Sequence, residues 1–140
     1  MMSCSKSAAR RRVVTNVVLD ASALLALLQD EQGSEIVAEH LPDAAMSTVN
    51  LAEVVARLTD HGMSESEIRG SLHGLGIAVH PFDAEMAYAT GLLRSRTRSL
   101  GLSLGDRAAL ALGKRLSSTV LTSDRDWRSL RLGINVRVIR

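Results

Sequence analysis

Five short apolar runs, at residues 13–19, 44–48, 77–82, 119–122 and 136–139, alternate along this chain with segments of helical period. No run is joined to the next by the Asn-Gly, Asp-Gly or Gly-Gly dipeptide that closes a two-residue hairpin. Strands without hairpins are linked by crossover helices and run parallel, and a parallel sheet must be covered on both faces. The expected fold class is therefore α/β: a three-layer α/β/α sandwich around a central, mostly parallel sheet of four to five strands.

The intervening segments supply the covering layers. Residues 21–29 read as a helix, and Gln32-Gly33-Ser34 turns the chain into a second one that ends before Pro42. Leu51, Val54, Val55 and Leu58 recur at i, i+3, i+4 and i+7, one apolar stripe that stops near Gly62. Ser64-Glu65-Ser66-Glu67 is a capping-box pattern that opens the next helix. Asp83 is placed to cap a long helix running to about Ser99, and a last helix starts near Ser103. The 140 residues suffice for one domain with a real core, over 13–140, preceded by a disordered basic extension at 1–12.

Composition removes several function classes. Phe82, Tyr88 and Trp127 are the only aromatic residues, so there is no platform on which to stack bases, and Trp127 is expected to pack instead. Cys4 is the only cysteine, which rules out an internal disulfide and a CxxC metal site and suits a reducing, cytoplasmic location. Arg10 to Arg12 followed by an apolar stretch superficially copies a signal peptide, but Asn16 and Asp20 break it and no small-residue cleavage site ends it. The longest unbroken apolar run there, residues 23–28, falls far short of the ~20 residues that a membrane span needs. The four histidines form no HExxH motif, Gly113-Lys114 lacks the upstream glycine of a P-loop, and Lys6 and Lys114 are the only lysines.

Charge is divided along the chain. Residues 13–90 carry two bases against twelve acids, whereas 91–140 carry eleven bases against three acids, and fifteen of the seventeen bases are arginine. A basic C-terminal third fits a polyanionic partner; on charge alone a solvated arginine face fits equally well.

Two acids end apolar strands: Asp20 after residues 13–19 and Asp124 after 119–122. In a parallel α/β sheet the carboxyl ends of the strands line the crevice where ligands bind. Glu53 lies one turn into the helix after the second strand, and Asp106 lies at the start of another, so all four can face the same sheet edge. Each also has a purely structural reading: Asp20 as an N-cap, Asp106 as the acid arm of a box begun by Ser103, and Glu53 as a first-turn acid favoured by the helix dipole.

Taken in order, LDASALLALL, STVNLAEVV, LSLGDRAALALG and LTSDRDW resemble the acidic motifs of the PIN-domain ribonucleases, in particular the VapC toxins of type II toxin–antitoxin systems. The resemblance runs from about Val17 to the C-terminus, with separations of 33, 53 and 18 residues between the acids. It implies that Asp20, Glu53, Asp106 and Asp124 form a catalytic, metal-holding quartet. Ser22 and Ser47 would support it, with Asp126 in an outer or structural role. It further implies an endoribonuclease that hydrolyses RNA by water attack on phosphorus, leaving 5′-phosphate and 3′-hydroxyl ends, and a cognate antitoxin that restrains it. The basic lead-in departs from the family's pattern, in which the chain begins close to the first strand.

Four converging carboxylates without a facing lysine repel one another unless a cation lies between them. An oxygen-only donor set suits Mg²⁺ or Mn²⁺. Arg107, Arg125 and Arg128, beside the acids in sequence, and Arg94, Arg96 and Arg98 are the candidate contacts to RNA phosphates. The helices carrying residues 23–28 and 51–58 offer apolar surface for an antitoxin helix, and the expected assembly is a homodimer or a toxin–antitoxin hetero-oligomer. The alternative is a PIN-like module that binds RNA or protein without useful catalysis; a structure-specific DNA nuclease stands third.

Overall fold

The computed structural model describes residues 15–140. The basic extension at 1–12 lies outside the described residues, as do Val13 and Val14 of the expected first strand. The strands are β1 (Val17–Leu19), β2 (Ala44–Ser47), β3 (Ala78–His80), β4 (Thr119–Thr122) and β5 (Val136–Val138). They form one sheet in the order β3-β2-β1-β4-β5, and every neighbouring pair is parallel. The five-stranded, all-parallel sheet is the architecture that the absence of hairpin signals predicts.

Alternation along β1 decides the layers. Val17 and Leu19 face one core, with Val37, Met46, Val54, Leu58 and Ile68, while Val18 faces the other, with Met86, Leu110, Leu112 and Trp127. The first core is covered by α1 (Ala21–Leu28), α2 (Ser34–His40), α3 (Thr48–Asp60) and α4 (Glu65–His73); the second lies under α5 (Ala84–Leu92) and α7 (Leu104–Leu116). Trp127 is packed in that second core, as expected.

The long helix expected from Asp83 to about Ser99 is broken. Asp83 does cap α5, accepting from the Met86 N–H, but the helix ends at Leu92. A short α6 (Arg94–Thr97) and a 3-10 turn (Arg98–Leu100) follow, and Gly101 closes the turn at φ 62°. Thr97 donates its hydroxyl to the Leu93 carbonyl, so a buried threonine keeps its own bond within the turn that re-aims the chain. The apolar face expected on α1 is not free either: Ala23, Leu24, Leu25 and Ala26 are buried. A groove of about 800 Å³ lies beside the other expected helix, α3, and α4, with Leu24 of α1 and Leu51, Val55, Met63, Ile68 and Leu72 among its lining. Among the described residues no helix is long and apolar enough to cross a membrane.

Strand order fixes where a site can form. From β1 the chain moves outward through β2 and β3, then returns to pair β4 against the other side of β1. The connections therefore leave in opposite directions at the carboxyl ends of β1 and β4, and side-chain crevices open at such a reversal. The register Leu19↔Leu121 sets Asp20 beside Thr122 there.

Candidate active site

Asp20 is the first residue beyond β1 and also the N-cap of α1. Its Oδ1 accepts from the Ala23 N–H at 2.8 Å and from the Ser22 hydroxyl at 2.7 Å. The Ser22 hydroxyl in turn accepts from the Ser123 N–H at 2.9 Å, tying the start of α1 to the exit of β4. Thr122 accepts from the Asp124 N–H at 3.1 Å, and Asp124 Oδ1 accepts from the Asp126 N–H at 2.9 Å. The two strand-end acids are thus held by one chain of local bonds. Ser22, expected as a hydroxyl support, lies within it.

Glu53 arrives from the other side. Asn50, one turn earlier on α3 and almost wholly buried, donates from Nδ2 to Glu53 Oε1 at 2.9 Å and to the Gly105 carbonyl at 3.0 Å. Both partners are acceptors, so only the amide nitrogen can face them, and the orientation of Asn50 is settled by chemistry. Gly105 is the second residue of α7, and a Cβ built on it would overlap the Glu53 carboxylate. The missing side chain is what lets that carboxylate rest on the amino-terminal end of a helix, where the backbone dipole favours negative charge. Asp106 follows immediately. Its Oδ2 accepts from the Ser103 N–H at 2.9 Å while Ser103 Oγ accepts from the Asp106 N–H at 3.1 Å, a closed capping box.

The structural readings of Asp20 and Asp106 as caps therefore hold, and so does their convergence. Asp20, Glu53, Asp106 and Asp124 all line one polar crevice of about 370 Å³ at the carboxyl edge of the sheet. Asp20 lies deepest, 4% exposed. Burial pushes its carboxyl up to about 6, against the opposing pull of the Thr122 hydroxyl, the Ala23 N–H and the Ser22 hydroxyl, and the nearby Asp106 charge raises it further.

Among the described residues, no three His, Cys, Asp or Glu side chains draw together as a ready-made metal cage. The caps explain this: Asp106 is bent back onto Ser103, Glu53 onto Asn50 and Asp124 onto Asp126. The donor chemistry nonetheless fits a hard divalent cation. Every side chain of the quartet is a carboxylate, and Glu53, Asp106 and Asp124 each keep one oxygen with no hydrogen-bond partner among the described residues.

The other candidate residues lie elsewhere. The Ser47 hydroxyl caps α3, accepting from the Val49 N–H at 3.1 Å, and is not part of the crevice lining. Asp126 is exposed outside it. Arg107 is buried and donates to the Thr90 carbonyl at 3.1 Å, on the side of α7 that packs against α5, so it is not available to a phosphate. Successive helix residues point about 100° apart, which is why Asp106 and its neighbour part company. Arg94, Arg96, Arg98, Arg125 and Arg128 are exposed but line no part of the crevice. Two arginines that sequence reasoning passed over do line it, Arg57 on α3 and Arg140 beyond β5, together with Gln29 and Glu31. For Arg57 a signal existed: it stands four residues after Glu53, on the same helical face.

Sequence comparison matches the PIN domain over residues 17–132. No curated protein matches in sequence. Solved structures share the fold. A chain of a toxin–antitoxin complex from Klebsiella pneumoniae superimposes with a TM-score of 0.71 at 17% identity, covering 89% of this chain and 98% of that one. A chain of VapBC2 from Rickettsia felis, bound to a promoter DNA fragment, gives 0.69 at 15% identity, with 90% and 100% covered. A chain of DNA-bound VapBC from Salmonella typhimurium gives 0.67 at 17% identity, with 90% and 99% covered.

Proposed function

The chain belongs to the PIN-domain family, and from that premise we propose that it is a divalent-metal-dependent endoribonuclease, the toxin of a cytoplasmic toxin–antitoxin pair. The observation that carries the reading is the crevice itself. Four carboxylates from four separate segments line one crevice at the sheet edge, the deepest of them buried and raised to about 6 without a cationic partner. Such an arrangement is costly for a fold and useful to an enzyme that handles metal and phosphate.

Asp20, Glu53, Asp106 and Asp124 would hold Mg²⁺ or Mn²⁺ through their free oxygens. When bound, the ion lowers the pKa of its water and offsets the charge that gathers on phosphorus. The chain's own part is preorganisation. Ser22 and the Ala23 N–H fix Asp20 in one orientation, and Asn50 fixes Glu53. Asp106 and Asp124 would offer the oxygen that their capping bonds leave free, and giving up a cap would cost only about 1 kcal/mol net. The groove beside α3 and α4 is the surface for a restraining antitoxin helix, a role supported by the toxin–antitoxin complexes among the structures of similar fold.

One observation favours the second reading, a PIN module that binds without cutting: the quartet is held apart by its own caps. Sequencing the ends of cellular RNAs after induction of the chain separates the two. The nuclease reading expects new 5′-phosphate ends at discrete sites within minutes. Unchanged RNA ends, with growth unaffected, favour the binding module.

A further inference from the structure

The crevice is acidic, yet its proposed substrate is a polyanion, and the arginines expected to reconcile the two, Arg94, Arg96, Arg98, Arg107, Arg125 and Arg128, line no part of it. Arg57 and Arg140 do. Arg57 stands one turn beyond Glu53, where an i,i+4 ion pair is the favoured arrangement. That pair is not made: Glu53 is bound to Asn50, and among the described residues the Arg57 guanidinium has neither an ion pair nor a hydrogen bond. Arg140 is anchored by its Nε, which donates to the Ser123 carbonyl at 3.0 Å beside Asp124. Its two terminal nitrogens have no hydrogen-bond partner among the described residues. A guanidinium fixed through Nε presents its remaining fork outward, the geometry that grips a phosphate with two bonds.

Strand order sets the two on either side of Asp20. Arg57 comes from α3, which follows β2 on one flank of β1, and Arg140 follows β5 on the flank that also carries β4. A crevice of about 370 Å³ is at small-ligand scale and takes a single extended strand rather than a duplex. We infer that Arg57 and Arg140 are the phosphate-binding residues of this crevice, seating the backbone of single-stranded RNA on both sides of Asp20. The inference rests on the nuclease reading and replaces the arginines at 94, 96, 98, 107, 125 and 128 as the source of RNA affinity.

The test uses the full chain and a fluorescent single-stranded RNA, with affinity measured against salt in chelator and cleavage kinetics measured in Mn²⁺. Arg57→Gln and Arg140→Gln should each flatten the slope of log affinity against log salt by about 0.7, and the double variant by about twice that. In cleavage, KM should rise about tenfold or more with kcat within about threefold, because a ground-state contact has been removed. Arg57→Lys and Arg140→Lys keep the charge and should keep the slope, which separates phosphate binding from a structural role. If wild type binds and cuts RNA but the double Gln variant keeps its slope and KM, the inference is overturned and the nuclease reading stands. It is overturned in the same way if only Arg94→Gln/Arg96→Gln/Arg98→Gln flattens the slope. If wild type neither binds nor cuts RNA, both readings fall together.

Discussion

Asp20 meets two demands that pull in opposite directions. As the cap of α1 it must offer an oxygen to the Ala23 N–H; as a buried group it loses the water that would stabilise its charge. A carboxyl at about 6 in the fold, against about 3.9 in a free peptide, holds its proton more tightly when native. Metal-free stability therefore falls as pH rises from about 4 to about 6 and stays lower above that, by roughly 3 kcal/mol for a shift of this size. Asp20→Asn keeps the capping oxygen, since Asn and Asp cap equally well, and removes the charge. In chelator at pH 7.5 the variant should melt higher than wild type, with the difference gone by pH 4. A variant that melts lower at pH 7.5 would mean the carboxylate matters as a structural acceptor and not as a charge in waiting. At this scale the sequence shows which acids stand at strand ends, but not where adjacent side chains turn. Asp106 and Arg107 are neighbours in the chain and face different layers.

Caps and crossovers are where the elements were most legible. Ser64, Asp83 and Ser103 start helices where their side chains predict, because a hydroxyl or carboxylate three residues ahead of a free N–H is a local matter. The break after Leu92 was not legible: no proline or capping pattern marks it in the sequence, and the bond of Thr97 to the Leu93 carbonyl, though local, is one that a threonine also makes within an unbroken helix. The apolar groove was legible only in part. Of the two helices expected to offer apolar surface, α3 lines it with Leu51 and Val55, α1 gives it Leu24 while burying most of its apolar face, and α4 completes it. Two measurements belong here. Gly105→Ala favours the helix by up to about 1 kcal/mol, yet its Cβ takes the space of the Glu53 carboxylate, a flexible group that moves aside cheaply. The variant should match or exceed wild type in melting temperature while losing at least about tenfold in RNA cleavage; full activity would mean that Glu53's position is not used. In the groove, Val55→Asp or Leu72→Asp should leave cleavage intact and stop a co-expressed antitoxin from relieving growth arrest. Normal relief would place the antitoxin on another face.

For the whole molecule, sheet order turns a scattered acidic set into one place. Asp20, Glu53, Asp106 and Asp124 span most of the chain, and only the reversal of direction between β1 and β4, with α3 and α7 closing over it, brings them to a common edge. The parallel sheet and the convergence were both readable from strand-end acids and missing hairpins. The crevice arginines were not: charge counted along the chain pointed to the C-terminal third, but of that third only Arg140 lines the crevice, and its companion Arg57 comes from the acidic part. The proposed function stands or falls on whether these four carboxylates cut RNA with a divalent ion. That is read most directly from the cleavage rate of a single-stranded RNA by purified wild type and by Asp20→Asn and Asp106→Asn, in Mn²⁺ and in chelator. Wild type should turn over in Mn²⁺ alone, and each variant should fall by at least about a hundredfold, roughly 3 kcal/mol of transition-state stabilisation. Equal rates in wild type and Asp20→Asn, or cleavage that survives the chelator, would refute the quartet as the cutting site.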